Sequence, residues 1–92
     1  MVTVTENAKG LLKGVLTAHS GDRELGVRLV INPGRQQGLG LALGREEAGD
    51  QVVEYGGYKV LLVSRDMASH VDRITLDMDD TPEGLKLLVQ RN

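Results

Sequence analysis

The chain contains no cysteine, no tryptophan and no phenylalanine, and two tyrosines, Tyr55 and Tyr58, are its whole aromatic content. Without cysteine there is no disulfide, no thiolate metal ligand and no cysteine nucleophile. Charges of both signs are spread along the sequence to a net −2. No aromatic side chains are interleaved with Lys and Arg, so neither a basic patch nor a base-stacking platform points to nucleic acid. Long apolar stretches are missing too. The longest unbroken run, Val60–Val63, is far too short to span a bilayer. The opening MVTVTENAKG lacks the basic segment followed by an apolar segment that marks a secretory signal. A protein of the cytoplasm, away from membranes, is the expectation.

What is present fits one small domain over residues 1–92. The apolar fraction is 40%, and Leu and Val must do most of the filling. A chain of this size buries roughly 60–65% of its unfolded surface, so its stability should be modest.

After a short extended lead-in at Val2–Val4, Thr5 is placed to cap a helix. Its side-chain oxygen can accept from a free first-turn amide, and Glu6 suits the positive end of the dipole. Ala8, Leu11, Leu12, Val15 and Leu16 recur at i, i+3, i+4, i+7, i+8, one stripe of an amphipathic helix. Gly10 and Gly14 fall opposite that stripe and cost about 1 kcal/mol each relative to Ala, so the helix depends on packing. His19-Ser20-Gly21-Asp22 ends it.

Leu25, Val27, Leu29 and Ile31 alternate into a strand with one apolar face. Asn32-Pro33-Gly34 then turns the chain, and Arg35-Gln36-Gln37 continues a polar loop. Leu39, Leu41 and Leu43 alternate with Gly38, Gly40 and Ala42, a strand with one large face and one nearly bare. GREEAG, Gly44 to Gly49, reads as a charged loop. Gln51–Tyr55 and Tyr58–Val63 form a hairpin about Gly56-Gly57, a pair able to take the positive φ of a type I′ turn. Ser64 caps a short helix over Arg65–Val71, Ile74, Leu76 and Met78 alternate as a strand, Asp79–Gly84 is a loop, and Leu85, Leu87 and Val89 make a last strand. One longer helix, one short helix and about six strands with short turns predict an α+β domain, its helices packed on twisted, mostly antiparallel or mixed β-strands.

The ordered set of motifs resembles the A-type iron–sulfur cluster carrier, or HesB-like, family. VTVTENAKGLLKGVL is similar to that family's opening threonine and helix. LGVRLVIN, a Gly-containing loop and GLGLAL resemble its strand, cluster-ligand loop and next strand. GDQVVEYGGYKVLLVSRD resembles its hairpin and short helix, RITLDM the strand with an aliphatic-Asp pair, and GLKLLVQRN its final strand. The resemblance runs from about Val2 to Asn92 and implies a HesB-like fold. It also implies a cysteine in the loop after the second strand and two more in a Cys-Gly-Cys tail. Here the loop is Asn32, Pro33, Gly34, Arg35, Gln36 and Gln37, with Gly34 or Arg35 nearest the cysteine position, and the sequence ends at Asn92 about where the tail would begin. Clusters are held chiefly by thiolate, so the expectation is a degenerate relative with no bound cluster and no cofactor.

Other candidates for chemistry fare worse. His19 stands at a helix end, where a cation suits the dipole. Asp66 precedes His70 by four residues, a spacing that could put both on one helical face. Asp77, Asp79, Asp80 and Glu83 are an acidic cluster, but a Ca²⁺ or Mg²⁺ site needs several converging oxygens, and the Gly placement of a calcium loop is absent. Asp77 matches the family's recurrent Asp and could accept loop amides. The glycines around Gly34–Gly40 open into a strand, not the helix N-terminus that makes a phosphate cradle. Ser20, Ser64 and Ser69 have no His/Asp pattern around them. No enzyme is expected, nor any catalytic or metal-ligating residue. The candidate interaction loop is Asn32–Gln37. A protein-interaction or accessory role is expected, with another protein of iron–sulfur biogenesis as partner, and a monomer or a weak homodimer through the Leu39/Leu41/Leu43 face or the bare Gly38/Gly40/Ala42 face. The alternative is a divergent binding domain taking a small ligand or metal at the 32–37 loop.

Overall fold

The computed structural model describes residues 2–19, 21–32, 34 and 38–91. The element order is β1 (Thr3–Val4), α1 (Glu6–His19), β2 (Leu25–Ile31), β3 (Leu39–Arg45), β4 (Gln51–Tyr55), β5 (Tyr58–Val63), α2 (Arg65–Ala68), β6 (Ile74–Thr81) and β7 (Gly84–Arg91). The strands form two sheets, ordered β1-β6-β7 and β3-β2-β5-β4. Hairpin neighbours pair antiparallel, while β1–β6 and β2–β5 pair parallel, so the sheets are mixed. The α+β architecture expected from the sequence is the one observed.

Helix α1 holds the two sheets together. Thr5 caps it as its position suggests, its Oγ1 accepting from the Ala8 amide at 3.1 Å. The stripe then buries Ala8, Leu12 and Leu16, with Leu11 and Val15 half-buried, against strands of both sheets. Opposite it lie Val27 and Leu29 of β2, Val60, Leu61 and Val63 of β5, and Ile74, Leu76 and Met78 of β6. Every buried residue of this core is aliphatic or Met, as the lack of Phe and Trp requires.

Three glycines are dictated by geometry. Gly56 and Gly57 take φ of 60° and 81°, the paired positive values that their hairpin needs. At Gly26 a Cβ would lie 2.7 Å from the Lys59 carbonyl oxygen and 2.9 Å from Leu62 Cδ1. Only glycine lets β2 pass this close to β5, at the point where their register shifts.

Three boundaries differ from the sequence reading. Helix α2 stops at Ala68, because the Ser69 amide already turns back to the Met67 carbonyl, so the predicted helix through Val71 is one turn long. Strand β3 continues through Gly44 and Arg45, since β2 pairs with it as far as Leu25. Asp79 and Asp80 are not in a loop but in β6, paired with Lys86 and Leu85, and the hairpin loop is only Pro82-Glu83.

Candidate functional site

The 32–37 loop hangs from the ends of β2 and β3, and Asn32 closes its base by donating its amide to the Gly38 carbonyl at 2.8 Å. Of its six residues, Asn32 and Gly34 are described; Pro33, Arg35, Gln36 and Gln37 lie outside the described residues. Beside the base is a depression of about 250 Å³. Ile31, Gly38 and Leu39 line one side, Met67, His70 and Val71 another, and Ile74, Val89 and Arg91 the floor and far wall. The structure thus brings the neck of the loop next to the end of β7. Those are the two places where the family resemblance puts cysteines. Here the groups gathered around them are aliphatic, with His70 and Arg91 as the titratable side chains. Ile31, at the lip, is 61% exposed.

The other sequence candidates do not converge. His70 lies past the end of α2, its amide bonded to the Met67 carbonyl, so the helical face that it was expected to share with Asp66 does not exist. His19 ends α1 and lines the larger cleft that adjoins this depression at Leu39, without reaching His70. Among the described residues no three His, Asp or Glu side chains come together as a metal site. Asp79 sits opposite Lys86, and both are exposed on the hairpin.

Asp77 has the structural role its position suggests. Its Oδ1 accepts from Thr5 Oγ1 at 2.6 Å, from the Met78 amide at 2.8 Å and from Asn7 Nδ2 at 3.4 Å, while Asn7 also donates to the Met78 carbonyl at 2.6 Å. The Thr5 hydroxyl, then the Met78 amide, hold its carboxyl below the usual carboxylate range. These bonds tie the start of α1 to β6. They engage Oδ1 in a structural role.

A second carboxylate escaped the sequence reading. Asp50 is 2% exposed and takes a two-pronged contact from Arg28, Nη1 to Oδ1 at 3.1 Å and Nη2 to Oδ2 at 2.6 Å. The Glu47 amide also donates to Oδ2 at 2.7 Å, and Arg28 Nη2 reaches the Arg45 carbonyl at 2.8 Å. The Arg28 contact holds the Asp50 carboxyl below its usual range. The pair fastens the 46–50 loop over the outer face of β2. The Gly49-Asp50 step in the sequence was the available signal, but nothing there names Arg28 as its partner.

With the geometry in hand, the architecture is that of the A-type cluster carriers. SufA of Escherichia coli, a protein involved in the biosynthesis of iron–sulfur clusters, superposes with a TM-score of 0.71 at 22% identity, over 98% of this chain and 84% of that one. An Aquifex aeolicus protein solved in solution superposes with a TM-score of 0.72 at 24% identity, over 99% and 91%. IscA, crystallised with a [2Fe-2S] cluster, superposes with a TM-score of 0.58 at 14% identity, over 99% and 82%. No protein-family model and no curated protein matches the chain. The likeness is one of fold.

The residues here do not fit the cluster that such a fold carries. A [2Fe-2S] centre takes four ligand atoms, chiefly thiolate with His as the occasional substitute. The chain has no cysteine, and the depression at the loop base offers a single histidine. No step of cluster chemistry is therefore assigned to it.

Proposed function

We propose that this chain is a degenerate relative of the iron–sulfur cluster carriers that has lost cluster binding and acts through protein interaction, as an accessory without enzymatic activity. The observation that supports this most directly is the pairing of a carrier fold with a loop base stripped of thiolate. The partner is another protein of iron–sulfur biogenesis, met in the cytoplasm at the 32–37 loop. A second reading has its own support. His70 and Arg91 beside the loop neck suit a small anionic ligand better than a metal.

Two measurements test the first reading. Anaerobic reconstitution with iron and sulfide should leave no stoichiometric thiolate-to-iron charge-transfer absorption, and a stable coloured product would overturn the loss of cluster binding. Titrating the labelled chain with a purified SufA-type carrier should give saturable anisotropy that Arg35→Glu weakens. A flat titration refutes the accessory reading and leaves the loop to a small ligand.

A further inference from the structure

We propose that the open edge of β3 and the apolar trough behind it form a docking site for an extended segment of a partner protein, added as a strand, aliphatic along its inner face and acidic at both ends. The site goes beyond the reading above, which places the partner at the 32–37 loop, and it does not depend on descent from cluster carriers.

The trough lies where the two sheets part. Its larger section, about 480 Å³, has α1 as its floor through Leu12, Val15 and His19, with Val27 and Met78 beside them. One wall is the run Leu39–Leu43 of β3 and the other is Leu85–Leu87 of β7. Consecutive strand residues point to alternate faces. Walls made of unbroken runs are therefore strand edges, and β3 and β7 are indeed the outer strands of their sheets. Leu39 also lines the depression at the loop base, so one aliphatic seam runs from Leu43 to Ile31. Ile31, Leu43 and Leu85, three of the four large hydrophobic side chains that stay exposed among the described residues, stand on it. A contiguous exposed apolar strip of this kind marks an interaction site.

The edges differ in how they are guarded. Proteins blunt an open sheet edge by shortening it, charging it or bulging it. Strand β1 has two residues. Strand β4 carries Glu54 and a register shift at Val53/Glu54. Strand β7 carries Lys86 and Arg91. From Leu39 to Gly44, β3 has no charge and no proline, and it pairs with β2 in unbroken register. Its one charge, Arg45, stands at the last position, so the free amides and carbonyls of Leu39–Gly44 are available to an added strand, the fifth of this sheet.

Charge sets the chemistry of the occupant. Among the described residues no carboxylate lines either section of the seam. His70 and Arg91 stand at the Ile31 end, and His19 and Lys86 line the other section. A segment with a carboxylate at each end fits this lining.

The test uses a fluorescein-labelled peptide of alternating valine and threonine with one glutamate at each end. Its controls carry two lysines instead, or a central proline that removes a ladder donor. The glutamate peptide should bind saturably, shift the amide resonances of Leu39–Leu43 and slow their hydrogen exchange. Leu43→Glu, or Ile31→Glu should the first melt early, should weaken binding about tenfold, which is about 1.4 kcal/mol. Arg91→Glu with Lys86→Glu should reverse the preference between glutamate and lysine ends. Four results would each overturn the proposal: no saturation at millimolar peptide; shifts centred on β4 or α2; a concentration-dependent dimer that protects the β3 amides without peptide, which would make a second copy the occupant; or displacement of the environment-sensitive dye ANS by dodecanoate but not by the peptide, which would make the seam a lipid site.

Discussion

Arg28→Met tests what holds the nearly buried Asp50 carboxylate. The substitution keeps the aliphatic stem but removes both prongs on Asp50, whose carboxylate is 2% exposed and would retain only the Glu47 amide at 2.7 Å. Removing one partner of a buried pair costs about 3–5 kcal/mol. Arg28 itself is 16% exposed and the 46–50 loop can open toward water, so about 2–4 kcal/mol is the figure expected here. A domain of this size holds roughly 5–14 kcal/mol in total. The melting temperature should therefore fall by roughly 10–30 °C. Acid adds a sharper signature. Arg28 holds the folded-state pKa of Asp50 below its ordinary value of 3.8. The stabilisation is present above that ordinary value and is lost as pH falls through the lower folded-state value. Without Arg28, burial is opposed only by the Glu47 amide, and protonation of Asp50 relieves the penalty. The gap in melting temperature between the two proteins should then narrow as pH drops below the ordinary carboxylate range. Calorimetric melts at neutral and acid pH measure it. A loss of only a few degrees, or a gap that does not change with pH, would show that the pair is solvated and that it holds nothing down. Arg28→Met with Asp50→Leu should recover most of the loss, since no buried charge remains.

Gly26→Ala should lower stability by about 1–3 kcal/mol in urea melts through its clash with the Lys59 carbonyl. Gly10→Ala, on an exposed helix position with open space around it, should raise stability by about 0.5–1 kcal/mol in the same assay. Thr5→Val removes the acceptor for the Ala8 amide and the donor to Asp77, and should cost about 1–2 kcal/mol, with faster hydrogen exchange at Ala8. Divalent cations titrated into the chain by calorimetry should give no saturable heat, and Asp79→Asn with Asp80→Asn should change nothing, because both lie on β6 opposite Lys86 and Leu85. A saturable signal that this double variant abolishes would restore the acidic site.

Local signals carried most of the fold. Thr5, the i/i+3/i+4 stripe, Gly56-Gly57 and Ser64 each act through bonds within a few residues of themselves, and each is found doing what its position suggests. Pairings across the chain were not legible. Nothing beside Arg28 in sequence names Asp50, 22 residues away. Only the folded chain sets His70 beside Ile31 and Arg91. The acidic stretch misled for a physical reason. Asp79 and Asp80 have low strand propensity and precede a proline, yet β7 supplies partners as far as the Thr81–Gly84 pair. The helix through Val71 failed in the same way, since four residues from Arg65 suffice to bury Met67 before β6 must begin.

The bonds that hold this fold run through other residues than those where a carrier would bind its cluster. Thr5 and Asn7 to Asp77 fasten α1 to β6; Arg28 to Asp50 fastens the 46–50 loop; Leu12, Leu16, Leu29, Leu61 and Leu76 fill the centre. The 32–37 loop meets that scaffold at the neck, where the Asn32 amide donates to the Gly38 carbonyl, a backbone bond indifferent to the side chains beyond it. A carrier-like fold is therefore no argument for a bound cluster, and the longest uncharged strand edge left open among the described residues is Leu39–Gly44 of β3.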